Sequence, residues 1–438
     1  MSNSQQTYCD RVSRRNLIKA GLAGAVGLSL PDILRLQAES AERGQARRDT
    51  AIIYIEMAGG PTQHETYDPK PDAPAEYRGP LNSIDTALPG VQFSQYMTEQ
   101  AKIADKLAVI RSIHHRSSSH GTSSHLTQTG YYLRDRQNRD NDMPCFGSIT
   151  SHVRGAHKPG MPAFVSLPRE MRYGRAGWLG KGYNAFVTGR DANSKKFQVP
   201  NLTLMRGLTA ARLGDRRQLL TDFDATRRLI DNKGTVDAID DFTHQAFDMI
   251  TGDAARNAFD ISREDQKTRE RYGMNATGQN VLLARRLVER GVSVATIRTG
   301  SWDDHGKIAD RMKSKGPSFD QAVAGLVTDL YERGLDKKVM LVCMGEFGRT
   351  PRINRGAGRD HWGSVMSVLL AGGGLPVGQI IGASDSKGSV PKERPYRPED
   401  VLHTMYAHLG IDPALTFADN SGRPRAVLER RNPIIELA

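Results

Sequence analysis

Short apolar runs of five to seven residues, each closed by a glycine-rich or His/Asp-bearing loop, recur along the chain and constrain its fold most. Ala51–Glu56 (AIIYIE), Leu107–Ile113 (LAVIRSI), Val292–Ile297 (VSVATI), Val339–Met344 (VMLVCM) and Val365–Ala371 have the length and β-branched content of buried strands. Ala163–Leu167 reads as a further strand, and Ile380-Ile381 as a short edge strand. Between the runs at 292 and 339, Phe319, Val323, Leu326, Val327 and Leu330 form one apolar stripe at helical spacing, with Gly334 as its stop. Strands alternating with such helices predict an α/β fold: a mostly parallel central sheet with helices on both faces.

Two regions depart from this rhythm. Ser13-Arg14-Arg15-Asn16-Leu17-Ile18-Lys19 followed by the mild run Ala20 to Leu30 is a twin-arginine export pattern, too short for a membrane-crossing helix. Residues 1–48 are therefore expected to be a signal and leader recognised by the twin-arginine translocase. The mature part, 49–438, would work in the periplasm or outside the cell, with no transmembrane helix. The charged stretch 201–289 reads as a helical insertion packed to one side, with helices over Leu208–Leu213, Asp215–Asp231 and Asp237–Ile250.

Charge narrows the partners. The formal net charge is +12, and eight basic against five acidic residues in the first fifty explain only three of those charges. The remainder is spread along the chain and favours an anionic partner: a small-molecule or polysaccharide ester rather than nucleic acid, for which no binding motif is present. With Cys9 in the leader, only Cys145 and Cys343 remain, so this is not a disulfide-built scaffold, although one Cys145–Cys343 bridge stays open.

In open parallel sheets, ligands bind beyond the carboxyl ends of the strands. There the first run is followed by His64 and Glu65, the second by His114-His115 and Ser118-Ser119-His120-Gly121-Thr122, the run at 292 by Asp303 and His305, and the run at 339 by Glu346 and Arg349 and then Arg359-Asp360-His361. Six of the 12 histidines fall in these loops. Imidazole and carboxylate are the donors of a hydrolytic metal site. Asp303, His305, Glu346, Asp360, His361, His64 and Glu65 are the candidate ligands for a divalent metal (Zn, Mn, Ca or Mg). Arg349 and Arg359 are candidates for holding a substrate anion bidentately. A helix starting near Ser119 would turn free N–H groups toward that anion, with Ser118, Ser119 and Thr122 as candidate hydroxyl donors.

Gly59-Gly60-Pro61, Asp68-Pro69-Lys70-Pro71, Arg78-Gly79-Pro80, Ala258-Phe259-Asp260, RERYG at 269–273, GEFGRTP at 345–351, GRDHW at 358–362 and Gly372-Gly373-Gly374 resemble a bacterial exported family known as domain of unknown function 1501. That family is placed in the alkaline phosphatase and sulfatase-like superfamily, and the resemblance runs from about Ala51 to the C-terminus. It implies metal-dependent hydrolysis of phosphate or sulfate esters, with Asp303 and His305 as one metal pair, Glu346 where an Asp-His pair is expected, and His361 as the final histidine. In the register that aligns His120 to Thr129-Gly130 with the sulfatase helix, His120 takes the nucleophile position, so formylglycine is excluded there. A non-catalytic exported binding or scaffold protein on the same fold is the alternative.

Overall fold

The computed structural model describes residues 49–199, 249 and 252–438. The leader and the expected helices between 208 and 250, Met249 apart, lie outside the described residues.

Eight strands form one sheet: β1 (Ala51–Met57), β2 (Leu107–Ile113), β3 (Phe164–Leu167), β4 (Phe186–Val187), β5 (Val294–Thr299), β6 (Val339–Met344), β7 (Met366–Gly372) and β8 (Gln379–Ile381). Their spatial order is β8-β2-β7-β6-β1-β5-β3-β4. Every neighbouring pair is parallel except the two that β7 makes, with β6 and with β2. The expected run at 292 begins two residues later, because Val292 N–H is bonded to Leu287 O and closes the preceding helix. Ile380-Ile381 does lie at an edge, paired with β2.

Side chains alternate across β1. Ile53, Ile55 and Met57 face one apolar layer, and Ile52 and Tyr54 face the other. Five main helices cover the sheet: α1 (His120–Thr129), α2 (Phe146–Val153), α3 (Ala276–Glu289), α4 (Ile308–Glu332) and α5 (Pro398–Leu409). α3 and α4 supply the first layer through Val281, Leu282, Leu287, Phe319, Val323 and Leu326, all essentially inaccessible. α2 and α5 supply the second through Phe146, Ile149, Val401 and Met405. The stripe expected on α4 is buried as read.

α3 ends the stretch expected to pack to one side, yet it is a core helix lying against β5 and β1. Its charges misled because they pair internally. Arg285 is fully buried, with nitrogens 2.7 Å from Glu264 and Glu289 and 2.9 Å from Asp329. The two cysteines are free thiols in opposite layers, Cys343 with α3 and α4, Cys145 with α2, so no bridge joins them. Among the described residues, no helix is long and apolar enough to cross a membrane.

All parallel strands end at one edge, and β7, running the other way, enters from that same edge. Loops after β1, β2, β5 and β6 and the segment before β7 therefore meet there.

Glu56, near the end of β1, is 4% exposed, and burial raises its carboxyl to about 8 against the pull of Arg298, whose Nε lies 3.3 Å away. The folded chain keeps this proton while the unfolded chain loses it at the ordinary value of 4.5. The contribution to stability is full below that value and is lost as pH rises to about 8. Glu56→Gln should therefore gain stability relative to the parent between pH 5 and 8, read as a rising difference in urea midpoint in chelator-containing buffer.

Candidate metal centre

Two glycines let the strand-end loops close on one another. Gly59 has φ +111°, and a Cβ there would lie 2.6 Å from Asp303 N. Its backbone N–H donates to both carboxylate oxygens of Glu346 at 3.0 Å. Gly60, at φ +82°, leaves room for the Phe347 ring, which a Cβ would approach to 2.4 Å. The loop after β1 is thus docked onto the loops after β5 and β6.

Into this space come four polar side chains, Asp303, His305, His361 and His120. His361 Nε2 and His305 Nε2 each lie 3.0 Å from Asp303 Oδ1 and 3.0 Å from one another. His120, the first residue of α1, places Nε2 3.2 Å from the other oxygen, Asp303 Oδ2. Ligand atoms of His120, Asp303 and His361 all fall within 4.8 Å of one another.

Each ring is oriented through its other nitrogen. His120 Nδ1–H donates to Glu346 Oε1 at 2.7 Å, and His305 Nδ1–H to Asp360 Oδ1 at 2.7 Å. His361 Nδ1–H donates to the carbonyl of Ser118 at 3.0 Å. A carbonyl or carboxylate in that position fixes the proton on Nδ1 and leaves Nε2 as a lone pair. In their neutral forms, His305 and His361 therefore turn two lone pairs and one carboxylate oxygen toward a common point. A cation there would relieve the repulsion among them. Three carboxylates (Asp303, Glu346, Asp360) against the one guanidinium of Arg349 leave two negative charges, which a divalent ion would match.

The electrostatics follow the contacts. Burial alone would raise the Asp303 carboxyl, but the hydrogen bond from Arg349 (2.5 Å) and its charge hold it well below the ordinary carboxylate range. The bond to Glu346 raises His120 above its ordinary value, and the bond from His305 lowers Asp360. His115, lowered by burial to about 4, donates from Nε2 to Glu346 O at 2.7 Å and braces that residue from behind.

Several expectations change. Glu346 and Asp360 stand behind histidines rather than facing the common point. His64 is buried with Nε2 2.9 Å from Lys387 O, and burial together with Arg359 pushes it well below its ordinary value, so it is not in the cluster. Glu65 is buried against Arg359, which donates to it from Nε (2.9 Å) and Nη2 (2.8 Å), and it accepts from Thr62 Oγ1. Arg349 and Arg359 are fully inaccessible, so neither is free to hold a substrate anion. Arg349 donates to Gly60 O, Gly59 O, Arg359 O, Trp302 O and Asp303. Ser119 is the N-cap residue of α1, but its hydroxyl makes no capping bond. The Thr122 hydroxyl is buried without a partner. Sequence reasoning names Ser118 for its hydroxyl and Gly59 as a motif residue, but not the backbone carbonyl and N–H through which they act, which residue identity does not reveal. It also missed Phe347, whose ring lies 5.0 Å from that of His120 and 4.5 Å from that of His361.

Residues 49–437 match the family model described as "Protein of unknown function (DUF1501)". No curated protein matches the chain in sequence. Among solved structures, the chain is similar to Ps i-CgsB in complex with k-i-k-neocarrahexaose, at 12% identity and TM-score 0.41, over 83% of this chain and 72% of that one. It is also similar to the Bacteroides thetaiotaomicron protein BT33494S-sulf, at 11% identity and TM-score 0.35, over 83% and 73%. PsFucS1 sulfatase from Pseudoalteromonas sp. matches at 12% identity and TM-score 0.33, over 86% and 72%.

The Glu65–Arg359 pair gives a direct check on its structural role. Arg359→Ala strands the buried Glu65 charge and should cost about 3–5 kcal/mol in urea unfolding, whereas Arg359→Met with Glu65→Leu should recover most of that loss.

Proposed function

We propose that this chain, which belongs to the DUF1501 family of proteins of unknown function, holds a divalent cation at Asp303, His305 and His361 and hydrolyses phosphate or sulfate esters outside the cytoplasm. The observation that carries this reading is the meeting of two imidazole lone pairs and a carboxylate oxygen at mutual distances of 3.0 Å, each ring locked from behind. The donor set suits Zn or Mn better than an all-oxygen ion such as Ca. Bound there, such an ion polarises an ester oxygen and offsets the charge that develops on it.

The protein's own groups complete the environment. His305 is half exposed and His361, Asp303 and His120 are partly exposed, so a soluble ester reaches the cluster from solvent. α1 has no side-chain cap and no acidic residue in its first turn, which leaves backbone N–H groups at its start for an anionic oxygen. With Arg349 and Arg359 internal, recognition of the anion falls to these N–H groups and to the cation site. The twin-arginine leader supports periplasmic or extracellular action and export of an already folded, loaded chain.

A second reading, an exported binding protein on the same fold, is favoured by the hydroxyls at the start of α1: Ser119 makes no capping bond and Thr122 Oγ1 is buried without a partner. Turnover separates the two. Protein purified without chelator should retain divalent metal, and His305→Ala with His361→Ala should remove it. Asp360→Asn should weaken metal affinity roughly 10–100-fold by releasing the His305 ring. Metal-dependent turnover of p-nitrophenyl phosphate or p-nitrophenyl sulfate supports the hydrolase, and metal-free native protein overturns it.

A further inference from the structure

Within the cation-binding reading, on which this inference rests, we propose that Asn354 is a positioning residue: its side chain fixes the ring and the main chain of His305 at once, so that Nε2 stays at the point shared with Asp303 and His361. Each histidine of the cluster has an acceptor behind its Nδ1–H, but the three acceptors are not equally firm. Glu346 is buried and held through both oxygens by Gly59 N–H. His361 leans on the Ser118 carbonyl, which belongs to the main chain. Asp360, behind His305, is itself an open side chain, 54% exposed against 47% for the ring it orients. A solvated carboxylate and a solvated imidazole bonded only to one another can swing together without breaking their bond. Such a pair needs an anchor.

Asn354 supplies it. Among the described residues, two groups donate to the Asp360 carboxylate, His305 Nδ1 at 2.7 Å and Asn354 Nδ2 at 3.2 Å, both to Oδ1. The other amide hydrogen of Asn354 goes to His305 O at 3.0 Å. Asn354 Oδ1 accepts from Gly356 N at 2.9 Å and Gly358 N at 3.0 Å. Both donors and both lone pairs of the amide are thereby used. These partners also settle which way it faces, because the flipped amide would set its oxygen against two acceptors and its NH2 against two N–H groups.

The backbone around Asn354 closes on the same histidine. Asn354 N–H bonds to Gly358 O at 2.9 Å, Lys307 N–H to Gly356 O at 2.9 Å and Ile308 N–H to Ala357 O at 2.8 Å. A Cβ on Gly358 would lie 2.3 Å from both His305 C and Gly306 N. Where the two segments meet, Lys307 and Ala357 take positive φ, +50° and +55°, a conformation that non-glycine residues keep only when their surroundings hold it. The segment between β6 and β7 thus clasps the loop after β5 at His305, and Asn354 is the side chain through which the clasp reaches the ring. An aspartate at 354 would keep the two acceptor bonds to the loop. It would lose both donor bonds and set a second carboxylate beside Asp360.

The test measures zinc affinity of the full-length protein by competition with a chromophoric chelator. Asn354→Ala should weaken zinc binding roughly tenfold. In an Asp360→Asn background, where the ring is already released, the same change should cost little more. Asn354→Asp keeps the acceptor the loop needs, so it carries the test alone if Asn354→Ala does not fold. It should also bind zinc more weakly, although an added negative charge near a cation would by itself tighten binding. Wild-type affinity in these variants overturns the positioning role and leaves the cation site standing. So does an equal loss in both backgrounds, which would make Asn354 a general loop brace, or tighter binding in Asn354→Asp, which would make charge alone decisive. Wild type that binds no zinc overturns the cation reading and the positioning role together.

Discussion

Arg349 is the interaction on which the carboxyl edge of the sheet depends. Its guanidinium, with no solvent exposure, donates to carbonyls on the loop after β1, on the loop after β5 and at Arg359, and to the Asp303 carboxylate. Three loops that carry charged or polar groups would otherwise repel or solvate apart. One buried cation with five donors in a rigid fork holds them together, which a lysine could not do. Because Asp303 is one of its acceptors, the same contact that closes the edge also aims the carboxylate shared by His305 and His361.

Around that clamp the centre is assembled in pairs. Each histidine has an acceptor behind it: Glu346 for His120, Asp360 for His305 and the Ser118 carbonyl for His361. These backing groups come from different loops than the rings they orient, so no ring can turn without disturbing a second loop. Glu65 and Arg359 form a further buried pair that ties the loop after β1 to the segment before β7. Charged residues at this edge thus divide into those that hold loops and those that face the opening, and only geometry separates the two groups.

That division explains what could be read from the amino acids. β2 and β6 match the expected runs residue for residue: β6 is apolar throughout, and β2 opens on four consecutive apolar residues before Arg111 and Ser112. β4, two residues long at the far edge, carries no comparable signal. α3 lies within the charged stretch 201–289 expected to pack to one side, yet its Arg285 and Arg286 are enclosed by Glu264, Glu289 and Asp329. At the edge, the gathering of Asp303, His305, His361 and His120 follows from their positions at strand ends, which alternation alone locates. Arg349 and Arg359, expected to hold a substrate anion, are internal for the same reason: pattern shows that a residue is charged, not whether a partner waits to enclose it.

The wide spacing of the clustered side chains along the backbone has a thermodynamic corollary. His120 and Asp303 are 183 positions apart, and Asp303 and His361 are 58 apart. Brought together only when β2, β5 and β7 are seated in one sheet, they offer an ion nothing in the unfolded chain. Any ion they hold is therefore linked to the native state as a whole. Once its free concentration exceeds its dissociation constant, each further tenfold rise would deepen the native well by about 1.4 kcal/mol.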